Sequence, residues 1–207
     1  MSVRAAVSLM LVTDRRLLAS RSLPTLAREA AEAGVDYVQL REKDLGSRAL
    51  VALAREVVAA VAGTPCAVLV NGRPDVAELA QARGVQLPER GLPVAEVRRA
   101  FPRLLIGASC HSVEAAVRAE ADGADLVVMG PVFATPGKEE RLLGIEPLAT
   151  AARALKVPVL AIGGIDPSTA GRAVSAGARG LAAIRAFAAG PVQGAADALR
   201  AGAGTRA

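Results

Sequence analysis

A chain of 207 residues, 52% of them hydrophobic and with a formal charge of +5, has the length of one domain with a sizeable core. With no Trp, one Tyr and three Phe, and with its arginines scattered (Arg15, Arg16, Arg21, Arg28 and others) rather than run together, it lacks the stacking surface and basic stripe that nucleic-acid binding requires. The excess charge suits solubility and the attraction of anionic ligands. No stretch is long and apolar enough to span a membrane, and Met1-Ser2-Val3-Arg4 enters the first predicted strand directly, without the long apolar core and small-residue cleavage site expected of a secretory leader. Cys66 and Cys110 lie in or beside predicted strands without metal-ligand spacing, which suits a reducing compartment. The expectation is a soluble cytoplasmic protein that binds neither nucleic acid nor membrane.

In chain order, short apolar runs alternate with Ala-rich amphipathic segments. A strand at Ser8–Val12 is followed by a helix from near Leu23, and Tyr37–Leu40 by a helix from near Ser47. Ala67–Val70 leads to a helix from near Arg73, and Gly84–Leu87 to one from near Val94. Leu104–Ala108 precedes a helix at Ser112, and Leu126–Met129 one at Glu146. Val159–Ile162 and Gly180–Ile184 complete the strands, with helices from Pro167 and after Pro191. Asp166 before Pro167 is an N-cap followed by the residue best suited to the first helical position, and Ser112 is a comparable cap. Glycine marks the opposite helix ends in Ala33-Gly34-Val35-Asp36, Asp122-Gly123-Ala124-Asp125 and Ala176-Gly177-Ala178-Arg179, a phrase repeated three times. Eight strand–helix units predict a single (β/α)8 TIM barrel over residues 1–201, with a disordered tail at 202–207. An open doubly wound sheet is the competitor, but it usually needs fewer units for this length.

Function in such a barrel gathers where the strands end. Gln39, Arg41 and Lys43 alternate onto one face at the end of the second strand, while Leu40 faces the helices. Three long polar groups either line a site for an anionic or heteroaromatic ligand or form a salt-bridge network with Glu42 and Asp44. Gly163 and Gly164 after the seventh strand, with the helix start behind Asp166 and the backbone at Ile184 and Arg185 after the eighth, predict a phosphate cradle. The long Gly130–Arg141 loop has the length of a lid. His111, the one histidine, lies at the catalytic end of the fifth strand and is the candidate acid/base. Its neighbour Cys110 points the opposite way in an extended segment and belongs to the core.

These pieces resemble the thiamine phosphate synthase superfamily along nearly the whole chain. The matching segments are Val38–Asp44, Val70-Asn71-Gly72-Arg73, Gly84–Leu87, Ile106–His111, Gly123-Ala124-Asp125, Gly130–Thr135 and Ile162–Ile165. The resemblance implies a (β/α)8 barrel and a site that includes Asn71, Thr135 and Lys138 beside Gln39, Arg41 and Lys43. It also exposes departures. Synthases of the family hold Mg²⁺ and pyrophosphate with two aspartates, and the equivalent positions here are Gly72 and Gly91. The family's Val-His-Leu-Gly reads Val85-Gln86-Leu87-Pro88, and Gly137 interrupts the Thr-x-Thr-Lys grip before Lys138. A divalent cation needs hard oxygen ligands, so the expectation is no metal and no cofactor.

That pattern of loss is similar to the TenI-type thiazole tautomerase branch, and implies an isomerase that aromatises a 2-carboxy-thiazole phosphate in thiamine biosynthesis. His111 would move the proton from ring carbon C2 to the exocyclic carbon. Arg41 and Lys43 would meet the carboxylate, and Gly163, Gly164, Ile184 and Arg185 would hold the phosphate. A homo-oligomer and a functional link to thiazole synthase are the expected associations. The alternatives are a Mg²⁺-dependent thiamine phosphate synthase, joining pyrimidine pyrophosphate to thiazole phosphate, and a non-catalytic binding protein for a thiamine intermediate.

Overall fold

The computed structural model describes residues 7–18, 20–134, 142–188 and 190–204. Among them, eight strands hydrogen-bond in chain order, all parallel, and β8 closes on β1. They are β1 Ser8–Val12, β2 Tyr37–Leu40, β3 Ala67–Asn71, β4 Gly84–Leu87, β5 Leu105–Cys110, β6 Leu126–Met129, β7 Val159–Ile162 and β8 Gly180–Ala183. The helices are α1 Leu23–Glu32, α2 Ser47–Ala60, α3 Pro74–Leu79, α4 Val94–Ala100, α5 Val113–Ala121, α6 Ile145–Ala154, α7 Pro167–Ser175, α8 Arg185–Ala188 and α9 Val192–Gly202. The (β/α)8 barrel expected from the alternation is therefore the fold. Two pieces are too short to show a period in the sequence, a 3₁₀ turn at Arg15–Leu17 and α8. β5 runs on to Cys110, two residues beyond its predicted end.

Strand alternation sorts the core into two layers. Met10, Val12, Leu69, Leu126, Val128, Leu160 and Ala182 fill the barrel, while their neighbours, such as Leu11, Val70, Val127 and Ala161, pack outward on the helices. Small aliphatic side chains fit this division, because closing a barrel of this strand number leaves room only for tightly layered side chains.

The repeated glycine phrase ties the lower end of the barrel together. Gly34, Gly123 and Gly177 all have positive φ, the conformation that ends a helix and turns the chain into a strand. In two copies the following aspartate reaches across to the start of a preceding strand. Asp36 accepts the Leu9 N–H at 2.8 Å, and Asp125 accepts the Ile106 N–H at 2.7 Å. The third copy has Arg179, whose backbone carbonyl accepts the Ser8 N–H at 3.1 Å. At the end of the chain α9 docks on α1, with Arg200 donating to the carbonyls of Ala33 and Gly34 at 3.0 and 2.6 Å. The helix continues through Gly202 and Ala203 is buried, so packing extends past residue 201. Residues 205–207 lie outside the described residues. No helix among the described residues is long and apolar enough to cross a membrane.

Candidate functional site

The upper mouth of the barrel is polar on one side and apolar on the other. Every second residue of β2 to β5 points inward, which places Gln39, Asn71, Gln86 and Ser109 in one tier. Arg41 and His111 follow at the ends of their strands. Val12, Val128, Ile162 and Ile184 line the facing half. Gln39 Nε2 donates to Asn71 Oδ1 at 3.0 Å, and Gln86 Nε2 donates to Ser109 Oγ at 2.9 Å. The structure thus brings together Gln39 and Asn71, which the sequence selected, and adds Gln86 and Ser109, which it did not. Gln86 is fully buried, and its Oε1 has no hydrogen-bond partner among the described residues. A Cβ at residue 107 would lie 2.1 Å from that oxygen, so the buried amide requires Gly107 beneath it.

The charged end of β2 is a network that Arg15 joins from the loop after β1. Buried Glu42 accepts from Thr13 Oγ1 at 2.6 Å, from the Arg15 backbone N–H at 3.3 Å and from Arg15 Nη1 at 3.1 Å. Arg15 continues to Asp44 at 2.7 and 2.8 Å and holds that carboxyl below its usual range. Arg41 enters through its backbone N–H, which donates to Thr13 Oγ1 at 2.9 Å. The salt bridges considered for this segment therefore belong to Arg15, from the loop after β1, rather than to Arg41.

His111 follows β5 directly and precedes Ser112, the N-cap of α5, whose side chain accepts the Ala115 N–H. Its Nδ1 and its backbone N–H (2.8 Å) both meet Glu89 Oε2, from the loop after β4. Glu89 was missed as a functional partner because it stands 22 residues away in sequence, in a loop with no periodicity to orient it. Cys110 faces the barrel–helix layer, and burial pushes its thiol up to about 12. A thiol that does not ionise is no nucleophile.

At the opposite edge, Gly163 and Gly164 have φ values of +95° and +60°. Cβ atoms there would lie 2.5 Å from Pro131 Cα and 2.6 Å from the Ala134 carbonyl oxygen. The Val132 and Phe133 N–H groups donate to the carbonyls of Ile162 and Gly163 at 2.9 and 3.0 Å. The glycines are thus required by the segment after β6, which lies directly on the end of β7. The expected contribution of the α7 N-terminus to a phosphate cradle needs correcting. Asp166 Oδ1 already accepts the N–H groups of Ser168 (2.7 Å) and Thr169 (3.1 Å), and Thr169 Oγ1 takes the Asp166 N–H to complete a capping box. A carboxylate in that position satisfies the donors and repels an anion. The rest of the expected cradle is the backbone at Gly163–Gly164 and at Ile184–Arg185, where α8 opens. Thr135, Lys138 and most of the predicted lid lie outside the described residues.

The cap carries its own test. Asp166→Ala is expected to destabilise the protein by about 1 kcal/mol at neutral pH in urea unfolding. Hydrogen bonds from Ser168, its largest influence, and from Thr169 hold the Asp166 carboxyl below its ordinary range. Its contribution is therefore present above that range and is lost as pH falls through the folded value. The stabilities of the variant and the wild type should converge in acid, and a constant difference down to acid pH would contradict this role.

Comparison with known proteins places this geometry. The thiamine monophosphate synthase family matches residues 9–187. A thiamine-phosphate synthase from Methanoculleus marisnigri is 42% identical over 196 residues, covering 93% of both chains. Another from Roseiflexus castenholzii is 38% identical over 183 residues, covering 87% of this chain and 80% of its own. Among solved structures, a thiamine phosphate pyrophosphorylase from Pyrococcus furiosus superposes with a TM-score of 0.86 at 34% identity, over 96% of each chain. A 3-hexulose-6-phosphate synthase, at 23% identity and a TM-score of 0.71, shares the fold alone. These relatives overturn the expected thiazole tautomerase and its isomerase class. That expectation rested on a few departing positions around Gly72 and Gly91, whereas the similarity to proteins named as synthases extends along nearly the whole chain.

Proposed function

The chain belongs to the thiamine monophosphate synthase family, and on that premise we propose that it is a transferase joining a pyrimidine diphosphate to a thiazole phosphate. The observation that carries the proposal is the 42% identity to a named thiamine-phosphate synthase across 93% of both chains. In the coupling, the thiazole ring nitrogen attacks the pyrimidine's methylene carbon and diphosphate leaves. The thiazole phosphate would sit against the backbone at Gly163–Gly164 and Ile184–Arg185. Arg41 and Lys43 would meet the diphosphate, and the Gln39–Asn71 amide pair would read the edge of the heterocycle, since paired amides offer both a donor and an acceptor. The two buried free cysteines suit a reducing, cytoplasmic compartment.

The family's divalent cation does not fit the residues present. The two carboxylate positions are Gly72 and Gly91, and the Pro88 ring packs against both, 3.6 and 3.2 Å from where their Cβ atoms would be. Asp75 is engaged by Arg73 at 2.6 and 2.8 Å, and Glu89 by His111. Among the described residues no group of three His, Cys, Asp or Glu side chains could hold a metal.

The test is direct. Incubating the protein with pyrimidine diphosphate and thiazole phosphate, with Mg²⁺ in one arm and EDTA in the other, should yield thiamine phosphate. Absence of product in both arms would refute the transferase assignment.

A further inference from the structure

Departure of a diphosphate needs its developing negative charge to be met, and here the carboxylate pair that would recruit a cation is missing. On the same side of the mouth, the loop after β4 sets Glu89 against His111. A single carboxylate oxygen accepts both the His111 backbone N–H and the ring Nδ1, so it fixes the main chain and the ring together. A carboxylate can only accept, which places a proton on Nδ1 and leaves Nε2 as the face offered to a ligand. The His111 side chain is 62% exposed and that of Glu89 33%, so the imidazole is the more open of the two. The loop is held in its turn by the Gly91 N–H donating to the Pro88 carbonyl at 2.8 Å.

Building on the transferase reading, we propose that Glu89 is the positioning residue for His111, and that His111 serves the leaving diphosphate in place of the metal. As the thiazole nitrogen's lone pair forms the new N–C bond, the C–O bond breaks and its electron pair stays on the diphosphate oxygen. That oxygen receives the Nε2 proton of the imidazolium. Glu89 remains a carboxylate bound to Nδ1–H, and water returns a proton to Nε2.

Two measurements separate this role from the reading beneath it. Because His111 is the one histidine in the chain, ¹⁵N labelling gives a single pair of ring signals. In alkaline buffer the neutral ring of the wild type should be fixed with its proton on Nδ1, and Glu89→Ala should average the two nitrogens. Coupling in EDTA should fall about 100-fold in His111→Asn, the scale of a lost general acid. It should fall about 10-fold in Glu89→Ala, the scale of a lost orienting partner. The KM for thiazole phosphate, held at the far edge, should stay unchanged in both. A fixed tautomer that survives Glu89→Ala overturns the positioning role. Coupling that requires Mg²⁺ and ignores His111→Asn overturns the leaving-group role while the transferase reading stands. No coupling by the wild type under either condition overturns that reading and the leaving-group role with it, and the ring signals still decide what Glu89 does.

Discussion

Replacing Glu42 with alanine is expected to lower stability by about 3 kcal/mol in urea unfolding at neutral pH. The Glu42 side chain is 2% exposed and is the common acceptor for Thr13, the Arg15 backbone and the Arg15 guanidinium. Thr13, itself buried, keeps only its acceptor role toward the Arg41 N–H once the carboxylate is gone. Removing one acceptor thus strands the Thr13 hydroxyl and the part-buried Arg15 donors of the loop after β1, which costs more than the net worth of the bonds they formed. The Arg15 guanidinium is partly exposed and still has Asp44, which keeps the loss at the lower end of the range for breaking a buried ion pair. Asp44→Ala, at the solvent end of the same chain of contacts, should move the unfolding midpoint little. Equal effects of the two substitutions would show that burial does not rank these carboxylates.

The second large effect is expected at the opposite edge of the mouth. Gly163→Ala combines two costs, a positive φ that an L side chain rarely adopts and a Cβ placed 2.5 Å from Pro131 Cα and Cβ. The first is worth about 1–2 kcal/mol and the second about 1–3 kcal/mol, so a total loss near 3 kcal/mol is expected. Because the Phe133 N–H bonds to the Gly163 carbonyl, relief of the clash must lift the segment after β6 from the end of β7. Binding of thiazole phosphate, measured by calorimetry, should weaken at least 10-fold with the disturbed backbone. Unchanged stability would mean that the segment moves aside without cost. Unchanged affinity would remove these glycines from the phosphate site.

Much of the barrel was legible because its signals are periodic or local. Strand alternation placed Gln39 on the inner face, the glycine phrases marked helix ends, and Asp166 with Pro167 announced a cap. What escaped depends on contacts between distant segments. Nothing near Glu89 points to His111, and nothing near Arg15 points to Glu42 and Asp44. The pressure that makes Gly163 and Gly164 necessary comes from residues 131–134, so a signature taken for ligand approach also records chain packing. Gln86 could have been found by extending the inward alternation from Gln39 to β4, since a polar residue in an otherwise apolar strand marks a tier rather than an accident. The isomerase expectation failed for a related reason. Gly72 and Gly91 speak to whether a cation can be held, and a cation seat does not by itself determine which bond is made.

The most direct test of the central assignment is a ³¹P NMR time course of the wild-type protein with pyrimidine diphosphate and thiazole phosphate. Catalysed growth of free diphosphate and thiamine phosphate in equal amounts, absent without protein, is the predicted result. A spectrum in which neither signal grows, or in which diphosphate appears without thiamine phosphate, would contradict the transferase account.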